Sequence, residues 1–189
     1  LRGVDGKNVS GLPIEEAANV KAKLDAAGIR LSALGSPYGK ASLGVAFDEH
    51  LALFKHGLEL CKVLDTNRIR MFSFYNAYES RETVIAYLKR MVEVAKEYGI
   101  TLCHENEKDI YGDGYEFCLS ICKNVPKIRA IFDPSNFVQC GVDTAVAWEA
   151  MKEHVEYLHL KDARADGIVV PCGDGIGNVP AIMGDFIDR

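Results

Sequence analysis

The chain alternates between two hydrophobic periods. Residues 14–27 (IEEAANVKAKLDAA) repeat apolar positions at helical spacing and stop at Gly28, a residue suited to the left-handed conformation that ends helices. IRLSALGS follows, a short apolar run closed by a Gly/Pro loop, and predicts a strand near residue 29. The pattern then predicts a helix over 48–64 with Asp48 as N-cap, and a strand over RIRMFSF (68–74). A long amphipathic helix follows over 80–98, opened by Ser80 and closed by Gly99. ITLCHE (100–105) reads as strand, 115–125 as a helix ending before Pro126, and IRAIFD (128–133) as strand. A helix over 143–153 precedes VEYLHLKD (155–162), which contains the next strand. Residues 178–188 read as the start of another helix, with Asn178 as cap and Pro180 in its first turn.

Strands near 29, 68, 100, 128 and 156, each followed by a helix, require a parallel sheet, either open and doubly wound or closed as a barrel. No strand runs into G-x-G-x-x-G, the signature of a dinucleotide fold. Gly173, Gly175 and Gly177 of CGDGIGN come late and suit a loop that turns near a ligand. Their amides could serve a phosphate, which would also need a helix N-terminus and Lys or Arg. Leu1-Arg2 before GVDGKN reads as the end of a strand entering its loop, and the chain stops within the helix after the 156 strand. The expected fold is therefore α/β, a parallel (β/α) TIM barrel truncated to about six of its eight βα units, with the first and last strands missing. Residues 1–189 form a single partial barrel domain.

Composition narrows the class. The chain is 48% hydrophobic and 26% charged, the profile of a soluble globular protein. A net charge of -5 argues against a nucleic-acid partner. No apolar run nears the roughly 20 residues that span a bilayer, which argues against a membrane partner. Six cysteines without a Cys-x-x-Cys pair argue against zinc knuckles and for reduced thiols in a cytoplasmic protein.

Three strands end in groups that bind metals: Glu105 closes TLCHE, Asp133 closes AIFD, and His159 lies near the end of YLHL. One acid at a strand end is ordinarily a cap or a loop residue. Three in phase on successive parallel strands face one barrel mouth, where catalytic groups gather. Two carboxylates and an imidazole suit Mn²⁺, Mg²⁺, Co²⁺ or Zn²⁺ with positions open to substrate or water. Lys161, two residues beyond His159, shares its strand face and fits either a substrate oxygen or a salt bridge. Arg70 sits mid-strand and is expected to face inward near the substrate. His104 points away from Glu105 by strand alternation, so a structural role and a substrate contact both stay open for it. His50, His56 and His154 fall on predicted helices and are expected at the surface; Trp148 is expected to pack.

HEN (104–106), DPSNF (133–137) with Gly141, and HLKD (159–162) followed by VVPCGDG resemble the xylose isomerase-like TIM-barrel superfamily of sugar phosphate isomerases and epimerases. RIRMFSF and SPYGK (36–40) extend the resemblance over essentially the whole chain. It implies a metal held by Glu105, Asp133, His159 and a second Glu from a last strand that this chain does not contain. It also implies an isomerase or epimerase of a small sugar or sugar-like hydroxy ketone, working through an enediolate. Glu105 would be both ligand and one acid/base group, and Asn136 stands where the family carries a polar substrate-binding side chain. Lys161, His104 and Arg70 complete the candidate substrate contacts. Two other readings stand beside this one. An abasic-site endonuclease of the same superfamily would need a multi-zinc cluster and a positive face, against five His and a negative charge here. A non-catalytic barrel fragment would carry open sheet edges that favour homo-oligomers.

Overall fold

The computed structural model describes residues 1–44 and 46–189. A hairpin opens the chain, β1 (Gly3–Val4) pairing antiparallel with β2 (Lys7–Asn8). Asp5 and Gly6 between them take φ of 48° and 77°, as a tight right-twisted hairpin turn requires. Helix α1 (Ile14–Ala26) ends at Gly28 with φ 67°, where the amides of Gly28 and Ile29 turn back onto the carbonyls of Asp25 and Leu24. After α2 (Phe47–Val63) come β3 (Arg68–Met71), α3 (Arg81–Glu97) and β4 (Thr101–Glu105). Then follow α4 (Tyr115–Asn124), β5 (Arg129–Phe132), α5 (Pro134–Gln139) and α6 (Thr144–Met151). The chain continues with β6 (Val155–Leu158), a small antiparallel pair β7 (Asp162–Ala163) and β8 (Val169–Val170), and α7 (Val179–Ile187).

Strands β3, β4, β5 and β6 pair in that order, all parallel, with Arg70 beside Cys103 and Glu105 beside Ile131. This is the arc of a (β/α) barrel. Sequential parallel strands demand a helical crossover each, and those helices lie outside, α1 against α2, α2 against α3 and α4 against α6. Outward positions of the strands make the core. Ile69, Met71 and Leu102 join Phe54, Leu58 and Leu88 in the larger apolar cluster. Ala130 and Phe132 join Phe137, Trp148 and Met151 in a second. The alternate positions carry charge on the concave face, where Glu156 accepts from Arg68 at 2.8 Å and Arg129 at 3.3 Å.

The structure corrects four local expectations. The strand expected near 29 reduces to a single parallel bridge from Leu34 to Ile69. Directly after it, the amide of Ser36 folds back onto the Leu34 carbonyl at 3.1 Å and ends the extended run. Pairing with the chain beyond β3 resumes irregularly, through the carbonyls of Tyr38, Gly39 and Ala41. On its other side the same segment holds Leu1, whose N-terminus donates to Ala33 and whose carbonyl accepts from Gly35. Asp48 is not a cap: α2 starts from Ala46 without side-chain capping, and Asp48 lies inside the first turn. Asn178 precedes α7 with φ 54°, yet its side chain donates to Thr144 and leaves the helix uncapped. His50 is buried, its ring 6.3 Å from Tyr38 and 5.6 Å from Phe74 on the inner side of α2.

Among the described residues, no helix is long and apolar enough to cross a membrane. Trp148 packs edge-on against Phe132 and donates to Asp185 at 2.7 Å.

Candidate metal centre

Parallel pairing in near register brings the ends of β4, β5 and β6 to one height. One ligand atom each from Glu105, Asp133 and His159 gathers within 4.8 Å of the others. Both carboxylates are shut from solvent, with side chains 2% and 0% exposed, while the His159 side chain stays 47% exposed and leaves the cluster open on that side.

Each carboxylate divides its work. Asp133 is the N-cap of α5, with Pro134 as first helical residue, and its Oδ1 accepts from the Asn136 amide at 3.0 Å. That leaves Oδ2 to the centre. Glu105 Oε2 accepts from Arg70 at 2.9 Å, and Oε1 faces His159 Nδ1 at 2.5 Å. Arg70 is itself fixed, donating to the carbonyls of Gly35 at 3.1 Å and Ser36 at 3.2 Å, with Phe72 beneath its guanidinium. Asp133 Oδ2 is a buried acceptor without a hydrogen bond of good geometry, although Lys161 Nζ lies at 3.0 Å and His159 Nδ1 at 3.2 Å. A buried carboxylate oxygen is held by neighbouring positive charge, and here that charge comes from Lys161 and His159 at the open side of the cluster. The donor set of two carboxylate oxygens and one imidazole nitrogen fits a divalent ion. The adjoining carboxylates of Asp133, then of Glu105, push the His159 imidazole up to about 9. The carboxylates that hold a proton on this ring have the charge to hold a divalent ion there.

The remaining candidates divide. Lys161 joins the centre, donating to Asn136 Oδ1 at 2.7 Å beside Asp133. Asn136 is 2% exposed and spends its Nδ2 on the Asn106 carbonyl at 2.8 Å. Its Oδ1 thus orients Lys161, while one of its two Nδ2 donors ties it to the loop after β4. Arg70 faces inward but is engaged with Glu105 and two carbonyls. His104 does not join the cluster. It lies on the opposite face of β4, 1% exposed, with both ring nitrogens unpaired, and burial pushes it down to about 3. Gly112 closes over it so tightly that a Cβ there would lie 2.4 Å from its Cε1.

Two residues were not singled out from the sequence. Asn106 extends the pairing beyond β4, donating to the Asp133 carbonyl and accepting from the Asp133 amide, each at 2.9 Å. Its position directly after Glu105 in HEN was the available signal. Asp162, 1% exposed, accepts from the amides of Ala163, Gly173, Gly175 and Gly177 at 2.8, 3.0, 3.2 and 2.9 Å. Burial pushes its carboxyl up, but these backbone donors together bring it below the ordinary value. The alternating glycines of CGDGIGN were the trace of this arrangement. Their amides, read as free for a ligand, are spent on Asp162.

The same architecture recurs in solved structures. A D-tagatose 3-epimerase-like protein superposes with a TM-score of 0.79 at 16% identity, over 92% of this chain and 72% of its own. The probable 3-DHS dehydratase AsbF of Bacillus anthracis gives 0.77 at 17% identity, over 93% and 73%. A xylose isomerase-like TIM barrel protein of Mycobacterium smegmatis, in complex with magnesium, gives 0.72 at 14% identity, over 99% and 82%. Likeness at such identities speaks for the fold alone. No curated protein sequence matches the chain. The family model described as xylose isomerase-like TIM barrel matches residues 3–188, and the chain belongs to that family.

Proposed function

We propose that the chain carries divalent-metal-dependent isomerase or epimerase chemistry on a small carbohydrate or related hydroxy ketone. The observation that carries the reading is the convergence of Glu105, Asp133 and His159 at three neighbouring strand ends, with one ligand atom of each within 4.8 Å of the others. Glu105, Asp133 and His159 would hold a divalent ion, which would supply polarisation of a substrate's hydroxyl and adjacent carbonyl oxygens and so acidify the C–H beside the carbonyl. Glu105, oriented by Arg70, is ligand and one acid/base group. Lys161, 29% exposed, places a cation where a substrate oxygen gathers charge. Return of the proton to the neighbouring carbon, with the hydroxyl proton passing to the former carbonyl oxygen, gives isomerisation, and return to the other face of the same carbon gives epimerisation. An epimerase-like protein and a magnesium complex among the similar structures support the reading.

Elemental analysis tests it first, on the chain and on Glu105→Ala, Asp133→Ala and His159→Ala. Near-stoichiometric Mn, Co, Zn or Mg that falls in all three variants is expected. Ketoses and aldoses are then screened for deuterium uptake from D₂O at the carbon beside the carbonyl. Absence of bound metal after incubation with excess Mn²⁺ removes the reading.

A further inference from the structure

Both carboxylates of the centre already stand beside cations, Arg70 2.9 Å from Glu105 and Lys161 3.0 Å from Asp133. Deeper on the concave face, Arg68 and Arg129 share Glu156. Four fixed cations therefore meet three carboxylates, before any metal charge is counted. A metal-ligating His is neutral, so a divalent ion enters this site with its charge uncompensated by the residues around it.

Lys161 differs from Arg70 in being more open to an incoming group at the centre. Arg70 is 14% exposed, and Glu105, Gly35 and Ser36 hold three of its five donors in place. Lys161 is 29% exposed, and its ammonium carries three donors. Two face Asn136 Oδ1 and Asp133 Oδ2, and one remains for an incoming anion. We infer that the site selects a substrate bearing a carboxylate next to its metal-binding oxygens, received by Lys161. The inference rests on the metal reading given above. A phosphate is disfavoured because the amides that would cradle it, those of Gly173, Gly175 and Gly177, are bound to Asp162. In the N-terminal turn of α5 the Asn136 amide is bound to Asp133.

The test is Mn²⁺ affinity of the full chain by EPR, with free Mn²⁺ held constant, in the presence of glycolate, its neutral isostere glycolamide, or methyl phosphate. Glycolate is expected to tighten Mn²⁺ at least fivefold, and the other two less than twofold. Lys161→Gln should reverse both effects, binding Mn²⁺ alone more tightly and losing the glycolate enhancement; Lys161→Arg should keep the enhancement. A variant damaged only in folding would lose affinity in both arms, so this pattern separates the two causes. Equal enhancement by glycolamide, or glycolate coupling that survives Lys161→Gln, overturns the inference while the metal reading stands. Equal enhancement by methyl phosphate overturns the choice of carboxylate. Failure to bind Mn²⁺ under every condition removes the metal reading, and this inference with it.

Discussion

Asp162 holds the glycine loop by its charge and by the geometry of two oxygens. Oδ1 accepts from Ala163 and Gly177, and Oδ2 accepts from Gly173 and Gly175. Three of these bonds span 11 to 15 residues. At roughly 1–1.5 kcal/mol net for each long-range bond, Asp162→Ala should cost about 4 kcal/mol. Asp162→Asn is the sharper variant. Whichever way the amide is turned, its NH₂ meets two backbone donors where an oxygen used to accept, so it should cost about 3 kcal/mol despite its nearly identical shape. Urea denaturation measures the loss, and hydrogen exchange over residues 171–178 should show the loop released first. Because the folded carboxyl titrates below its ordinary value, its contribution is complete above about pH 3.9 and fades as pH falls below that. The gap between the parent chain and Asp162→Asn should therefore hold from about pH 8 to 5 and close only in stronger acid. An Asn variant within about 1 kcal/mol of the parent, with unchanged exchange in the loop, would refute the reasoning.

Two further outcomes follow from burial and close approach. His104 is neutral when folded, with its value near 3 against 6.5, so the unfolded chain takes up the extra proton. Stability from this residue is complete above about pH 6.5 and falls by about 1.4 kcal/mol per pH unit below it; urea midpoints at about pH 7.5 and 5.5 should show this, and His104→Gln should flatten the slope. A Cβ on Gly39 would lie 2.0 Å from the Phe72 carbonyl oxygen, at a φ of 83°. Gly39→Ala should therefore cost about 3 kcal/mol or more, read by the same denaturation, and a neutral result would show that the segment shifts freely.

Legibility in the sequence followed the range of the interactions involved. Glu105, Asp133 and His159 could be placed at one height because parallel strands transmit position through local period alone, and each lies within a residue or so of its strand's end. The strand near 29 could not be judged that way. Its apolar residues are those of a strand, but Ser36 turns back on Leu34 and the carbonyls of Gly35 and Ser36 go to Arg70, 35 and 34 residues away. Helix α5 spans six residues, too few to show a helical period, and only the Asp-Pro pair at its start announced it. His104 was rightly placed opposite Glu105 by alternation, yet nothing local revealed Gly112 closing over it.

The division of each carboxylate between scaffold and centre makes the length of residue 105 testable in its own right. Glu105 reaches Arg70 with one oxygen and the His159 side of the cluster with the other. Asp133 reaches less far because its second oxygen needs only the amide three residues on. Glu105→Asp keeps the charge but withdraws the carboxylate by about 1.5 Å, one C–C bond. It can then satisfy Arg70 or the centre, not both. Arg70 is anchored by two backbone carbonyls and cannot follow, and a carboxylate left between the two partners loses the orientation that preorganised sites depend on. Mn²⁺ affinity of Glu105→Asp should fall at least tenfold, consistent with the typical 10–100-fold cost of disturbing a ligand's supporting contacts, while its folded signal in circular dichroism stays that of the parent. Arg70→Met in the Asp background should then change affinity little, since the tether it removes is already broken. If Glu105→Asp binds Mn²⁺ as the parent does, charge alone makes the site, and the Arg70 contact is a neighbour of the centre without a part in positioning it.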